Sequence, residues 1–128
     1  MENRLYKAAR EVMARAHAPY SKFLVGAAIL AGDGNIYRGC NVENAAYPEG
    51  WCAETSAISS MISSGQTKIV EIAVIAEKMP GVTPCGGCRQ RIAEFASADT
   101  PVHLCNENGV METIKLGDLL PKSFNFDS

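Results

Sequence analysis

The pattern of apolar and polar positions predicts helices and strands in alternation along the chain. Apolar residues recur at helical spacing over residues 5–17, and Pro19 is expected to end that helix. Two more helices are predicted over residues 52–64 and 85–96, the first of them ended by Gly65. Short apolar runs rich in β-branched residues predict five strands, at residues 25–31, 36–40, 69–77, 101–105 and 110–116.

The order of these elements predicts an α/β fold. The turn residues Gly-Asp-Gly-Asn at 32–35 join the first two strands as an antiparallel hairpin. A strand, a helix and a strand then follow over residues 69–105, which is typical of a parallel pair with a right-handed crossover. A mixed sheet with helices on both faces, a three-layer α/β/α arrangement, buries the apolar side of each element. We expect residues 1–128 to form a single domain.

Composition narrows the class of protein. The 128 residues include 12 basic and 14 acidic side chains, a net charge of −2, and 47% of them are hydrophobic. This balance argues against disorder and against a nucleic-acid partner, which would normally meet a basic surface. The charged residues 1–10 do not resemble a signal peptide, and the apolar stretches are too short to span a bilayer. We therefore expect a cytoplasmic protein with no membrane partner.

Three of the five cysteines stand where loops enter predicted helices. Cys85 and Cys88 are three residues apart, so their thiols share one face of a helical turn and can bind one zinc ion. The positive end of the helix dipole also favours their thiolate forms. Cys52 offers a third ligand, and a three-ligand site leaves one position for water, as in catalytic zinc sites. Glu54, in the first turn of the same helix, can accept the proton of that water.

Plainer interpretations of the cysteines stay open at this point. The Cys-x-x-Cys pair at residues 85–88 could be a redox dithiol. A structural zinc site would need a fourth protein ligand, for which there are four candidates elsewhere: Cys40, Cys105, His17 and His103. We expect Cys40 and Cys105 to be core residues. We expect His17 to be a surface or capping residue, and His103 to lie on a sheet face without a catalytic role.

The order of these motifs resembles that of a known family. Cys-Ala-Glu at 52–54 followed by Pro-Cys-Gly-Gly-Cys at 84–88 resembles the three-cysteine version of the zinc nucleobase deaminases. Further segments resemble the small cytidine deaminases of nucleoside salvage, from about residue 4 to residue 124: Ala-Pro-Tyr-Ser-Lys-Phe at 18–23, Val-Gly-Ala-Ala at 25–28, Asn-Val-Glu-Asn-Ala-Ala-Tyr-Pro at 41–48, and Leu-Leu-Pro at 119–121 followed by Phe124.

The resemblance implies an activity and a set of site residues. The activity is zinc-dependent hydrolytic deamination of cytidine and deoxycytidine to uridine and deoxyuridine, with release of ammonia. The implied ligands of one zinc per subunit are Cys52, Cys85 and Cys88, and Glu54 is the implied proton shuttle. The implied substrate-binding residues are Asn41 and Glu43 for the sugar hydroxyls, Phe23 against the nucleoside, the Ala53 backbone at the base edge, and Phe124, which enters a neighbouring subunit's site in a homotetramer.

The residues themselves support part of this set. Asn41 and Glu43 are two apart on an extended segment, so both side chains point to one side and could meet one diol. Without the resemblance, Asn41 would cap the loop, Glu43 would be solvated and Phe23 would be a core residue. Phe124 lies with Phe126 in a short polar tail that cannot bury either ring locally, so docking onto a neighbour is one explanation and a flexible tail is another.

One position departs from the family pattern. Many of these deaminases have arginine directly after Cys-Ala-Glu, where it balances thiolate charge, whereas this chain has Thr55. Zinc with three thiolates carries a net charge of −1. Compensation must come from helix N-termini, from hydrogen bonds to sulfur, or from another cation such as Arg89 or Arg91.

Two other functions remain alternatives. The chain could deaminate another nucleoside or a base analogue, or it could be a non-catalytic zinc domain that mediates protein contacts. The second predicts four protein ligands and no exchangeable water. Deamination of a base within RNA or DNA is disfavoured by the acidic balance.

Overall fold

The computed structural model describes residues 2–79 and 81–124. The helices are α1 Glu2–Met13, α2 Ala53–Ser63, α3 Gly86–Phe95 and the single turn α4 Leu116–Leu119. The strands are β1 Val25–Ala31, β2 Ile36–Cys40, β3 Ile69–Ala76, β4 Pro101–Asn106 and β5 Gly109–Lys115. A 3₁₀ turn, Tyr47–Glu49, lies in the loop before α2. The five predicted strands and three predicted helices are therefore all present.

The five strands form one mixed sheet in the order β2-β1-β3-β4-β5. The β1–β2 hairpin is antiparallel, as the turn residues predict, and β1 also pairs antiparallel with β3. β3 and β4 are parallel, with Ile72 opposite Val102, and β5 returns antiparallel to β4. The predicted mixed sheet is confirmed, and its parallel step is the strand–helix–strand unit that contains α3.

Helices cover both faces of the sheet. On one face, α1 packs against a cluster of strand residues that includes Ala28, Leu30, Ala73 and Ile75. On the other face, α2, α3 and α4 pack against the alternate residues of the same strands, a cluster that includes Ala27, Ile29, Ile72 and Val74. This alternation along β1 and β3 is that of strands buried on both sides. The three-layer α/β/α architecture is confirmed.

The first helix ends earlier than the sequence predicts. It ends at Met13, because the backbone beyond it pairs with the loop after β2. The N–H of His17 donates to the carbonyl of Asn41 at 3.0 Å, and the carbonyl of His17 accepts from the N–H of Glu43 at 2.8 Å. Pro19 is therefore not the residue that ends α1. His17 is exposed, as predicted, but lies beyond the helix end and does not cap it.

The two cysteines predicted to be structural differ in burial. Cys105 on β4 is fully buried in the α1-side core, as predicted. Cys40, at the end of β2, is half-buried and belongs to neither core cluster, so the predicted core position is wrong for it. His103 lies on the α1 face of β4, where Thr113 Oγ1 is 2.8 Å from its Nδ1.

Within the described part of the chain, the helices are too short and too polar to cross a bilayer.

Candidate metal centre and active site

Two cysteines occupy equivalent positions at the start of two helices. Cys52 is the N-cap of α2 and Cys85 is the N-cap of α3. Their backbone angles are nearly the same, with φ −78° and ψ 160° at Cys52 and φ −66° and ψ 166° at Cys85. Neither side chain bonds to its own helix. Both thiols are therefore directed away from the capping position, beside helix N-termini that favour negative charge.

A third thiol completes a cluster with the geometry of a metal site. The Sγ atoms of Cys52, Cys85 and Cys88 all lie within 4.8 Å of one another, and the first two are 3.8 Å apart. Two thiolates on a tetrahedral zinc, each with a Zn–S bond of about 2.3 Å, are separated by about 3.8 Å. The donor set and its spacing therefore fit zinc. No other such group of three is found in residues 2–79 and 81–124.

Close contact between the thiols affects how they hold their protons. A hydrogen bond with Cys88 lowers the pKa of Cys52, whereas the same bond and burial raise the pKa of Cys88. The protonation of one thiol therefore depends on that of the other. A cation bound between them would favour the deprotonated form of both.

Glu54 is a buried carboxyl group at the same end of α2. It lies in the first turn of the helix, as predicted from its distance from the cap at Cys52, and its exposed fraction is 4%. Burial raises the pKa of its carboxyl group, and the positive charge of Arg91 opposes that effect. A raised pKa makes a carboxylate a better proton acceptor, which suits a group that accepts a proton and then returns it.

A cavity of about 540 Å³ opens above this centre. Its volume lies within the range of about 300–1,000 Å³ that is typical of small-molecule sites. Six of the residues predicted for the site line it: Asn41, Glu43, Cys52, Ala53, Glu54 and Cys85. Cys88 is fully buried and is not part of the described lining. The structure thus places the polar side chains of Asn41 and Glu43 and the thiols of Cys52 and Cys85 in the lining of one cavity.

Asn41 and Glu43 also make hydrogen bonds to the segment before β1 and to the first residue of that strand. Asn41 Oδ1 accepts from the N–H of Val25 at 2.9 Å, and Asn41 Nδ2 donates to the carbonyl of Phe23 at 2.8 Å. The Glu43 carboxylate accepts from the N–H groups of Tyr20 at 3.0 Å and Ser21 at 3.1 Å, and from the Ser21 hydroxyl. Because an amide and a carboxylate have more sites than these bonds use, capacity remains for a ligand.

The two predicted aromatic contacts lie outside the cavity of this chain. Phe23 is half-buried and meets the site through its backbone bond to Asn41. Phe124 is 70% exposed, and its carbonyl accepts from Gln90 Nε2 at 3.0 Å. Neither ring belongs to the described lining. Phe126, named with Phe124 in the sequence argument, lies outside the described residues.

Three aromatic residues for which the sequence predicts no role do line the cavity. Tyr20, Tyr47 and Trp51 are all largely exposed at its mouth, with Tyr47 91% exposed. Their positions were visible in the sequence, because each lies in a segment that resembles the deaminases or precedes a cysteine. No periodic pattern marked them, since all three belong to loops or turns.

Three thiols and a buried carboxyl group beside one cavity define a class of protein, a metal-dependent enzyme of α/β fold. The profile of the family described as "Cytidine and deoxycytidylate deaminase zinc-binding region" matches residues 1–104. The chain therefore belongs to this zinc-binding deaminase family. The family and the three-cysteine cluster together confirm the predicted zinc cofactor.

Individual relatives are similar over most of their length. The cytidine deaminase of Sporosarcina psychrophila is 48% identical over 119 residues, which cover 93% of this chain and 85% of that protein. The cytidine deaminase of Halalkalibacterium halodurans is 45% identical over 120 residues, which cover 94% and 91%. The crystal structure of cytidine deaminase from Burkholderia pseudomallei superposes with a TM-score of 0.91 at 40% identity, covering 97% of this chain and 99% of that one. The predicted fold class is thereby confirmed.

Proposed function

We propose that this protein catalyses the hydrolytic deamination of cytidine and deoxycytidine, which yields uridine or deoxyuridine and ammonia. The observation that carries the proposal is the buried carboxyl group of Glu54, which faces the same cavity as the thiols of Cys52 and Cys85. Deamination of a cytosine ring needs an activated water and a group that moves protons, and both requirements meet at this point. The family and the named relatives support the same chemistry.

The proposed zinc ligands are Cys52, Cys85 and Cys88. When bound, zinc is a Lewis acid that makes a water molecule nucleophilic near neutral pH. Glu54 takes the proton of that water and passes it to the ring nitrogen, which makes the neighbouring carbon electrophilic. After the oxygen has added to this carbon, Glu54 takes the remaining proton of the new hydroxyl group and delivers it to the amino group, so that the carbon–nitrogen bond breaks, the carbonyl forms and ammonia leaves. Its burial keeps competing water away from the carboxyl group during both transfers.

The remaining residues of the cavity orient the substrate. Asn41 and Glu43 hold the sugar hydroxyls with the bonding capacity that their loop contacts leave free. Ala53 is the first residue of α2, where backbone N–H groups have no partner inside the helix and can meet the base edge. Phe23 shapes the sugar side of the site through its contact with Asn41. Fixing the non-reacting sugar places the reacting carbon, which is the main benefit of such contacts.

We further propose that the active protein is a homotetramer with shared sites. The ring of Phe124 and two aromatic residues at the cavity mouth, Tyr47 and Trp51, are exposed, and exposed apolar surface of this kind often marks a contact between chains. In this arrangement, Phe124 of one subunit covers the cavity of its neighbour. The five free cysteines also suit a reducing compartment, so we place the protein in the cytoplasm.

The test combines metal quantification with a substrate panel. Purified protein is analysed for zinc per subunit, and deamination is followed by ultraviolet absorbance with cytidine, deoxycytidine, free cytosine and aminonucleoside analogues such as blasticidin-type compounds. We expect one zinc per subunit and the fastest turnover with the two cytosine nucleosides. Preference for an analogue would favour the alternative substrate class. Zinc without turnover on any compound would favour a non-catalytic zinc domain and contradict the proposal.

A further inference from the structure

The proposed ligand set raises a question of charge balance. Three thiolates and one zinc ion sum to a charge of −1, and the sulfur of Cys88 is fully buried. A buried negative charge is unfavourable unless a cation or hydrogen-bond donors face it. The residue after Glu54 is Thr55, whose hydroxyl carries no charge. Any balancing cation therefore comes from another part of the chain.

Arg91 supplies a positive charge at the buried sulfur. Its Nη1 atom lies 3.6 Å from Cys88 Sγ, a normal distance for an N–H group that donates to sulfur. The two residues are three apart on α3, so their side chains lie on one face of the helix. The guanidinium group turns back over the first turn of the helix towards this sulfur.

Gly87 makes room for that conformation. A Cβ atom at this position would lie 3.3 Å from Nη1 and 3.7 Å from Cζ of Arg91. The absence of a side chain therefore lets the guanidinium group rest on the helix start, directly beside the cysteine ligands. The Cys-Gly-Gly-Cys spacing thus provides both two thiols and a surface for the arginine.

Thr55 contributes a weaker donor to the same atom. Its Oγ1 lies 3.7 Å from Cys88 Sγ and approaches from α2, whereas Arg91 approaches from α3. Two helices therefore each place one hydrogen-bond donor on the one sulfur that water cannot reach. Donors of this kind fix the orientation of a ligand and adjust its charge.

Arg89, the other arginine near the centre, is committed elsewhere. Its Nε donates to the carbonyl of Pro84 at 2.8 Å, its Nη1 to the carbonyl of Leu119 at 2.8 Å, and its Nη2 to Thr83 Oγ1 at 3.0 Å. These bonds tie the loop before α3 to the turn α4. Arg89 is therefore a structural residue of the fold, with each of its three guanidinium nitrogens hydrogen-bonded to an oxygen atom.

We propose that Arg91 is the positioning residue that balances the thiolate charge of the metal centre, with the Thr55 hydroxyl as a second donor to Cys88. This inference rests on the proposed assignment of the three cysteines as zinc ligands. It adds a residue whose effect is on how tightly the centre holds its metal, and metal affinity is the readout because the charge of Arg91 also acts on Glu54.

The first test measures zinc affinity in the purified holoenzyme. Wild-type protein and the Arg91→Gln variant are equilibrated with a chromophoric chelator, and the zinc retained by each is quantified. We expect Arg91→Gln to bind zinc about tenfold more weakly, within the range of about 10–100-fold found for residues that support metal ligands. Arg38→Gln is the matched control, because it removes the same charge from the exposed pair with Glu11. Equal affinities of the Arg91 and Arg38 variants would overturn the inference.

A conservative variant separates charge from packing. Arg91→Lys keeps the positive charge but loses the planar guanidinium group. We expect its zinc affinity to lie between those of the wild type and Arg91→Gln. An affinity as weak as that of Arg91→Gln would show that positive charge at this position does not balance the thiolates.

A spectroscopic readout reports on the sulfur atom itself. In protein loaded with cobalt in place of zinc, the thiolate-to-metal charge-transfer band reflects how electron-rich the sulfur atoms are. Loss of the Arg91 donor makes Cys88 more electron-rich, so we expect the band to move to longer wavelength in Arg91→Gln and to stay in place in Arg38→Gln. A general loss of helix stability would not move this band, and an unshifted band in Arg91→Gln would contradict the inference.

The Cys88→Ser variant separates this inference from the ligand assignment beneath it. If Cys88→Ser binds zinc as tightly as the wild type, the ligand assignment is wrong and the inference falls with it. If Cys88→Ser loses zinc while Arg91→Gln retains wild-type affinity, the ligands are right and the role of Arg91 is wrong. Substrate turnover, measured in the same preparations, reports separately on the proposed reaction.

Discussion

Gly39 of β2 lies directly against Ala53, the first residue of α2. A Cβ atom at Gly39 would come within 2.5 Å of the Ala53 carbonyl oxygen and would overlap the backbone nitrogen of Ala57. The start of α2 therefore rests on the bare backbone of the strand. This contact sets the height of Cys52 and Glu54 above the sheet, because both belong to that end of the helix.

Adding one methyl group at this contact should disturb the metal centre. Gly39→Ala forces α2 away from β2, and we expect a loss of about 1–3 kcal/mol or more in unfolding free energy together with weaker zinc binding. Gly32→Ala is the matched control, because a Cβ atom there would meet Lys68 at an ordinary 3.6 Å. Denaturant unfolding and chelator competition measure the two effects. A Gly39→Ala protein as stable as the Gly32→Ala protein would show that the helix can shift without cost.

Glu54→Gln tests the proton shuttle. The amide has nearly the same shape but cannot take a proton from water, so we expect turnover to fall by about 10²–10⁴-fold. Zinc content should remain that of the wild type, because Glu54 is not one of the proposed ligands. Zinc analysis measures the metal content, and single-turnover deamination of cytidine measures the rate of the chemical step. A Glu54→Gln enzyme with full zinc content and wild-type turnover would contradict the proposed mechanism.

Glu43→Gln tests the sugar contact with the loop bonds largely kept. The amide oxygen can still accept from the backbone of Tyr20 or Ser21, whereas the charged acceptor for a diol is lost. Since a charged hydrogen bond is worth about 1.5–3 kcal/mol, we expect KM for cytidine to rise about tenfold or more. Trp51 is the one tryptophan of the chain and lines the cavity, so its fluorescence reports binding of the product uridine. Equal losses with cytidine and free cytosine would count against a sugar role.

The same carboxylate should make the loop sensitive to acid. The hydroxyl of Ser21, followed by its N–H group, lowers the pKa of Glu43 below its ordinary value. A lowered pKa means that the charged form stabilises the fold fully above the unfolded value of about 4.3, and that this contribution is lost as pH falls through the folded value. The stability difference between wild type and Glu43→Gln should therefore be constant from pH 7 to about pH 5 and shrink below that. Denaturant unfolding across this range measures the stability difference. A difference that grows as the pH falls would contradict the lowered pKa of Glu43.

Phe124→Ala tests the proposed shared site. If the ring covers a neighbouring cavity, its removal should weaken assembly or substrate binding, as judged by light scattering and by KM. Val70→Ala truncates another exposed apolar side chain, on β3, and should do neither. Mixing Phe124→Ala subunits with Glu54→Gln subunits should restore activity, because some sites then combine an intact Glu54 with a neighbour's intact Phe124. A monomer in light scattering, or no recovery in any mixture, would argue against shared sites.

The strands and helices were largely predictable because their signals are local. The apolar run of β3 and the turn between β1 and β2 depend on residues a few positions apart, so periodicity found them. The end of α1 was not predictable in this way. It depends on backbone pairing between His17 and the loop near Asn41, which are distant in sequence. A long-range contact of this kind leaves no periodic mark at the helix end.

The sequence by itself determined the chemistry that this protein carries. The Cys-Ala-Glu and Pro-Cys-x-x-Cys segments specify thiols at two helix starts and a carboxylate in the first turn of one of these helices, since helix capping is a local property. Only the tertiary structure decided how those groups meet. It left Arg89 bonded to the turn α4 and brought Arg91 to Cys88, although both arginines lie on the same short helix. It also placed Tyr47 and Trp51 at the mouth of the cavity. Which of two neighbouring cations faces a buried sulfur depends on packing between distant segments, and packing is settled only when the chain has folded.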